Sequence, residues 1–208
     1  MHWAAPSRLQ PALKQSLAIY TGVGWSGTNV AERFNFAHIA ALLVDGDHYS
    51  AGIISQILRG FGLTQHTVVD TVEEARRHLA AGSYDLLITE SSLADGRLTD
   101  FIAWIRHSPK TELRFIPIIL LTGYTQFSKV TTARDAGVNS VVCKPVSPTT
   151  MFDHIIWASR TDRPFIDADA YAGPCRRFHD NHSGPGLSRR VSDRRAEDPL
   201  HDSATAVP

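Results

Sequence analysis

Between about His38 and Arg160 short apolar, β-prone runs alternate with longer stretches whose apolar residues recur every three to four positions. That is the pattern of parallel strands joined by covering helices. The predicted strands are Ile39 to Val44, His66 to Val69, Asp85 to Thr89, Ile116 to Leu121 and Ser140 to Cys143. Ala-Leu-Leu-Val and Ile-Ile-Leu-Leu do not alternate with polar residues, so these strands should be covered on both faces. Helical stripes lie at Ile53, Ile54, Ile57, Leu58 and Phe61, at Phe101, Ile102 and Ile105, and at Met151, Phe152, Ile155 and Ile156, all read as core. Helix ends are signposted as well. Thr71 and Glu74 make a capping box, Gly82 is placed as a left-handed C-cap, and Ser147 precedes a helix opening on Pro148.

The flanks break this pattern. Residues 1–37 hold one possible amphipathic helix, with Leu9, Leu13, Leu17 and Tyr20 on one face, and then a glycine-rich linker. Residues 161–208 are rich in Arg, Asp, Ser, Gly and Pro with few large apolar side chains, which predicts a largely disordered tail. Within the tail, Phe165, Tyr171 and Phe178 are candidate anchors, onto the domain or onto a partner.

Composition narrows the possible partners. In 208 residues, 21 Lys plus Arg balance 21 Asp plus Glu, so no overall field favours nucleic acid or an anionic membrane. Two cysteines are too few for a disulfide framework, and no signal peptide or membrane span is evident, so cytosol is the expected compartment.

In a parallel sheet, ligands meet the loops at the carboxyl ends of the strands. Those positions carry Asp45, Gly46 and Asp47 after the first strand, Glu90 after the third, Thr122 after the fourth, and Lys144 with Pro145 after the fifth. Carboxylates, a hydroxyl and an ammonium at one mouth suit a divalent cation and a phosphoryl group. Helix capping with a Lys144 salt bridge is the plainer alternative.

With these motifs in this order, including Asp85-Leu-Leu-Ile-Thr-Glu90, Pro117-Ile-Ile-Leu-Leu-Thr122-Gly, Ala136-Gly137 and Val141-Val-Cys-Lys144-Pro145, residues 38–160 resemble the receiver domains of two-component response regulators. The resemblance implies an α/β doubly wound fold, a five-stranded parallel sheet of order 2-1-3-4-5. It also implies phosphoryl transfer from a histidine kinase to an aspartate with magnesium. Thr122 and Lys144 match the hydroxyl and lysine that meet the phosphoryl group. Asp45 matches the first of two metal-site acids, whereas Gly46 replaces the second and Asp47 could substitute only from an inward loop. Glu90 stands at the phosphoacceptor position and Val141 at the aromatic switch position. The expected protein is therefore non-enzymatic, a stand-alone pseudo-receiver acting through a protein partner, a histidine kinase or downstream protein, or as a homodimer. Weak magnesium binding is the most to expect. The contact face would be the fourth helix, fifth strand and fifth helix of that fold, with Tyr124, Phe127, Val130 and Trp157. A further resemblance links the Arg163-Pro-Phe, Tyr171, Gly-Pro and Arg-Arg177 segment to one following some bacterial receivers, usually with Asp in place of Cys175.

Other readings stay open. A regulator phosphorylated on an unusual acceptor is one. A nucleotide-binding oxidoreductase using Gly22-Val-Gly-Trp-Ser-Gly27 is another, although polar residues follow the loop where a packed helix is wanted. A phosphatase-like hydrolase would use Asp45 and Asp47. Cys175, His179, Asp180 and His182 lack closed zinc spacing, and His48 and His107 are placed near helix ends as solvated or capping residues.

Overall fold

The computed structural model describes residues 35–123, 127–160, 165–168 and 171–175. Strands β1 (Ala41–Val44), β2 (His66–Val69), β3 (Leu86–Glu90), β4 (Ile118–Thr122) and β5 (Ser140–Cys143) form one parallel sheet of order β2-β1-β3-β4-β5. The register pairs Val44 with Thr89, Glu90 with Leu121 and Thr122 with Cys143, so the strand ends meet in one row. Helices α1 (His48–Gly60), α2 (Val72–Ala81), α3 (Leu98–Arg106), short α4 (Thr111–Arg114), α5 (Phe127–Ala136) and α6 (Pro148–Arg160) fill the connections.

Successive strand side chains point to opposite faces, and here both faces are covered. Leu43, Ile88 and Leu121 pack with Ile54 and Leu58 of α1 and Met151 and Ile155 of α6. Leu42, Leu87 and Leu120 pack with Leu79 of α2, Phe101 and Ile105 of α3, and Ala133 of α5. The uninterrupted apolar strands follow from this two-sided burial, and truncating one such leucine to alanine costs about 2–5 kcal/mol.

Two local expectations are corrected. Ile53 is 57% exposed, because the buried stripe of α1 runs through Ala51, Ile54 and Leu58 and Ile53 lies off it. Gly82 is extended (φ −111°, ψ 178°), not left-handed. Its N–H still reaches His78 O, while its missing side chain leaves room for the Tyr84 ring, 3.3 Å from where a Cβ would stand. Thr71 does cap α2, its Oγ1 accepting from Glu74 N at 3.3 Å, and Asp95 adds a second cap by accepting from Val72 N and Glu73 N.

The larger correction concerns the expected tail. Residues 165–168 and 171–175 are folded: β6 (Phe165–Ala168) pairs antiparallel with β7 (Tyr171–Pro174), and β7 packs against α3 and α5. Few large apolar residues suffice because the anchoring is local. Phe165 is buried edge-on against Phe115, with ring centres 4.5 Å apart, and lies under the Arg106 and Arg114 guanidinium groups. Arg114 forms an ion pair with Asp167, and Tyr171 Oη donates to Pro174 O at 2.6 Å. Gly137 (φ +105°) and Gly173 let two backbones approach, since a Cβ on Gly137 would lie 2.7 Å from Ala172 O.

Arg106 is the centre of that end of the molecule, 1% exposed at the amino ends of the strands. Its Nε donates to Gly137 O (3.0 Å), Nη1 to Arg114 O and Ile116 O (both 2.8 Å), and Nη2 to Asn139 Oδ1 (2.9 Å). Burial pulls this guanidinium down to about 9, with the nearby Tyr171 opposing the shift, so it remains charged at neutral pH.

The possible N-terminal helix and the Gly22–Gly27 loop lie outside the described residues, as do Tyr124, Phe178, His179, Asp180 and His182. Among the described residues no helix is long and apolar enough to cross a membrane.

Candidate functional site

Because β1, β3, β4 and β5 end together, Asp45, Glu90, Thr122 and Lys144 converge without help from distant loops. Asp45 is 1% exposed, Thr122 3% and Glu90 8%. Lys144 Nζ stands between two carboxylates, pairing with Glu90 Oε2 and, at 3.0 Å, with Asp45 Oδ2. The remaining carboxylate oxygens are occupied too. Asp45 Oδ2 also accepts from Ser50 Oγ at 2.7 Å, and Asp45 Oδ1 accepts from Asp47 N at 2.9 Å. Glu90 Oε1 accepts from both the N–H and the hydroxyl of Ser91, each at 2.7 Å.

The electrostatics follow from this packing. Burial alone would pull Lys144 down, and it is the largest single influence. The hydrogen bonds and charges of Glu90 and Asp45 together outweigh it, so the ammonium is held above its usual value of 10.5. A buried ion pair gains less than its Coulomb attraction suggests, but losing one partner leaves an uncompensated charge, which is the costlier state.

Asp47 does not join the site. It is exposed, and its Oδ1 accepts from Tyr49 N at 3.0 Å as the N-cap of α1, so the inward loop it would need as a substitute acid is absent. The same capping role removes the second acid from the hydrolase reading. His48 opens α1, exposed, and His107 follows α3 with Nδ1 2.8 Å from Ala103 O, both as helix-end residues. Val141 is half-buried beside Leu120 and packs with the core on the α3 and α5 face, with no ring that could change position. Val130 and Trp157 of the expected contact face are half-buried, and the side chain of Phe127 lies outside the description.

The donor set does not fit the magnesium that a receiver fold implies. Magnesium requires near-octahedral oxygen ligands at short range. Two carboxylates remain at this mouth, an ammonium sits between them, and Gly46 offers no side-chain oxygen. Among the described residues no three His, Cys, Asp or Glu side chains are grouped to hold a metal ion. Gly46 is not fixed by crowding, since a Cβ there would meet Asp70 O at 3.4 Å, an ordinary contact.

Sequence reasoning missed Ser91. Its hydroxyl lies between Glu90 Oε1 and, at 3.1 Å, Thr122 Oγ1. The only available signal was its place directly after a strand-end carboxylate, where a serine hydroxyl can turn back on its neighbour.

Comparison with known proteins agrees with this architecture. The family model of the response regulator receiver domain matches residues 41–156. The chain is 26% identical over 114 residues to the chemotaxis protein CheY of Pseudomonas aeruginosa, which spans 55% of this chain and 90% of that protein. A putative response regulator from Chloroflexus aurantiacus superposes with a TM-score of 0.53 at 25% identity, over 59% of this chain and 99% of that one. The receiver domain of a sensor histidine kinase from Pseudomonas aeruginosa, solved with magnesium in its active-site cleft, shares the fold, with a TM-score of 0.53 at 23% identity over 58% of this chain and 97% of that one. With its sheet order, its converging strand ends and the match over more than half its length, this chain belongs to the response regulator receiver family of two-component signalling.

Proposed function

We propose that this chain is a receiver module that signals through protein contacts without accepting a phosphoryl group, and that it is not an enzyme. The observation that carries this reading is the state of Glu90, whose two carboxylate oxygens are both taken, one by Lys144 and one by Ser91. A phosphoacceptor needs a free oxygen aligned with the donor, and displacements of about 1 Å are expensive in such transfers. The longer glutamate side chain instead places its charge directly on the lysine. With Gly46 and an outward Asp47, the mouth has no cage for magnesium, and the function proposed needs none. The partner is a protein, a histidine kinase, a downstream signalling protein or a second copy, docking on α5, β5 and α6. The working compartment is the cytosol.

The experiment uses the full chain with a small phosphodonor and magnesium, read by intact-mass spectrometry. The native chain is expected to stay unlabelled. Gly46→Asp combined with Glu90→Asp restores both acids in a backbone with room for them and is expected to gain magnesium-dependent labelling. Stoichiometric, base-labile phosphate on residue 90 of the native chain would overturn the proposal in favour of a regulator with an unusual acceptor.

A further inference from the structure

Glu90 ends β3 and Thr122 ends β4, and the Ser91 side chain bonds to both. Its Oγ donates to Glu90 Oε1 at 2.7 Å and to Thr122 Oγ1 at 3.1 Å, sharing one proton between a charged acceptor and a neutral one. Its backbone N–H is likewise shared, reaching Leu121 O at 2.9 Å and Glu90 Oε1 at 2.7 Å. One residue therefore ties the carboxylate to the end of the neighbouring strand by main chain and side chain together. Both ends of the tie are buried, so water competes poorly and each bond is worth more than on a surface.

We propose that Ser91 is the positioning residue that couples Glu90 at the end of β3 to Thr122 at the end of β4. The proposal rests on the reading of Glu90 as a fixed carboxylate, and it adds the route by which that carboxylate acts on β4. Lys144 neutralises Glu90 from the β5 side, while Ser91 carries its position to the β4 side. Without the Ser91 hydroxyl, Glu90 keeps its ion pair but loses this link to Thr122. Threonine, which retains the hydroxyl, should keep the link, and alanine should not.

The test is a set of double-mutant cycles on the full chain by chemical denaturation. Glu90→Gln and Thr122→Val are combined in the native, Ser91→Ala and Ser91→Thr backgrounds. With Ser91 present, the two changes should couple by about threefold to tenfold in the unfolding equilibrium constant, the range of a buried hydrogen bond. In Ser91→Ala the coupling should fall to within error, and in Ser91→Thr it should return. A spectroscopic readout accompanies the cycles: Glu90→Gln should shift the Thr122 methyl resonance in the native background and leave it unmoved in Ser91→Ala. Glu90–Thr122 coupling that survives in Ser91→Ala, or is absent with Ser91 intact, overturns the proposal. The Glu90–Lys144 coupling, measured in the same Ser91→Ala background, should persist. Its absence there and in the native chain would count against the fixed-carboxylate reading and leave the Ser91 link standing, so the two failures are distinguishable.

Discussion

Each end of the sheet holds a cation, and the two are satisfied in opposite ways. At the carboxyl ends, Lys144 sits between Asp45 and Glu90 and is held charged by carboxylates. At the amino ends, Arg106 is more deeply buried, and its hydrogen bonds run to three main-chain carbonyls and an amide oxygen. Lysine suits the first because a compact ammonium can meet two acids at a point. Arginine suits the second because its planar fork spreads donors over several fixed acceptors. The mouth is thus an electrostatic arrangement that one charge change can rewire. The base is a scaffold joint on which α3, α4, β4, β5 and the hairpin all depend.

The largest effect is expected at the base. Arg106→Met leaves buried carbonyls without donors and removes the cation over Phe165, so a loss of more than about 4 kcal/mol is expected, enough to abolish cooperative unfolding. Ending the chain after Arg160 uncovers the same joint and should act in the same direction. A truncated chain that melts within a few degrees of the full one in calorimetry would show that the hairpin is not part of the domain.

Gly137→Ala is a milder probe of the same joint. Its positive φ and the 2.7 Å approach to Ala172 O make a methyl group costly, by about 2 kcal/mol. Amide exchange at Ala172 and Gly173 should accelerate, while exchange around Glu90 and Ser91 should not change. Equal acceleration at both ends would show that mouth and base do not behave as separate units.

The smallest effect is in the pH profile, where the two cations act with opposite sign. Lys144 has a raised pKa in the fold, so its stabilisation is complete below the unfolded value of 10.5 and fades as pH rises through the folded one. Arg106 has a lowered pKa, so its burial cost relaxes above about 9. The stability difference between the native chain and Lys144→Met should therefore be flat from pH 7 to about 10 and shrink beyond that. A difference that shrinks between pH 7 and 9 would contradict the assigned direction.

These two ends also differ in how far the sequence revealed them. Strand ends occupy fixed places in a parallel sheet, so spacing alone brought Asp45, Glu90, Thr122 and Lys144 to one mouth, and continuous apolar runs marked β1 and β4. Asp47 could not be assigned, because capping and facing inward differ only in a loop's path. Arg106 left no trace, since its partners are main-chain carbonyls that carry no side-chain signature and a charged residue at a helix end reads as solvated. The hairpin was legible only through its anchors: Phe165 and Tyr171 stood out as docking residues, and Phe165 is one, but the two strands did not show. Its anchoring relies on one phenylalanine, one ion pair and two glycine backbones in contact, none of which raises the hydrophobicity of a polar segment. Ser91 was legible as a residue after a strand and illegible as a bridge.

If Glu90 and Lys144 form a fixed pair that holds the mouth in place of a transferable group, a double-mutant cycle on stability must show their coupling. Glu90→Gln, Lys144→Met and their combination are compared with the native chain by urea unfolding. Lys144→Met alone is expected to cost about 3 kcal/mol, because it leaves two buried carboxylates uncompensated, and the pair is expected to couple by at least about 1.5 kcal/mol. A coupling energy within error of zero would mean that the two groups do not hold one another, and the fixed-pair account would fail.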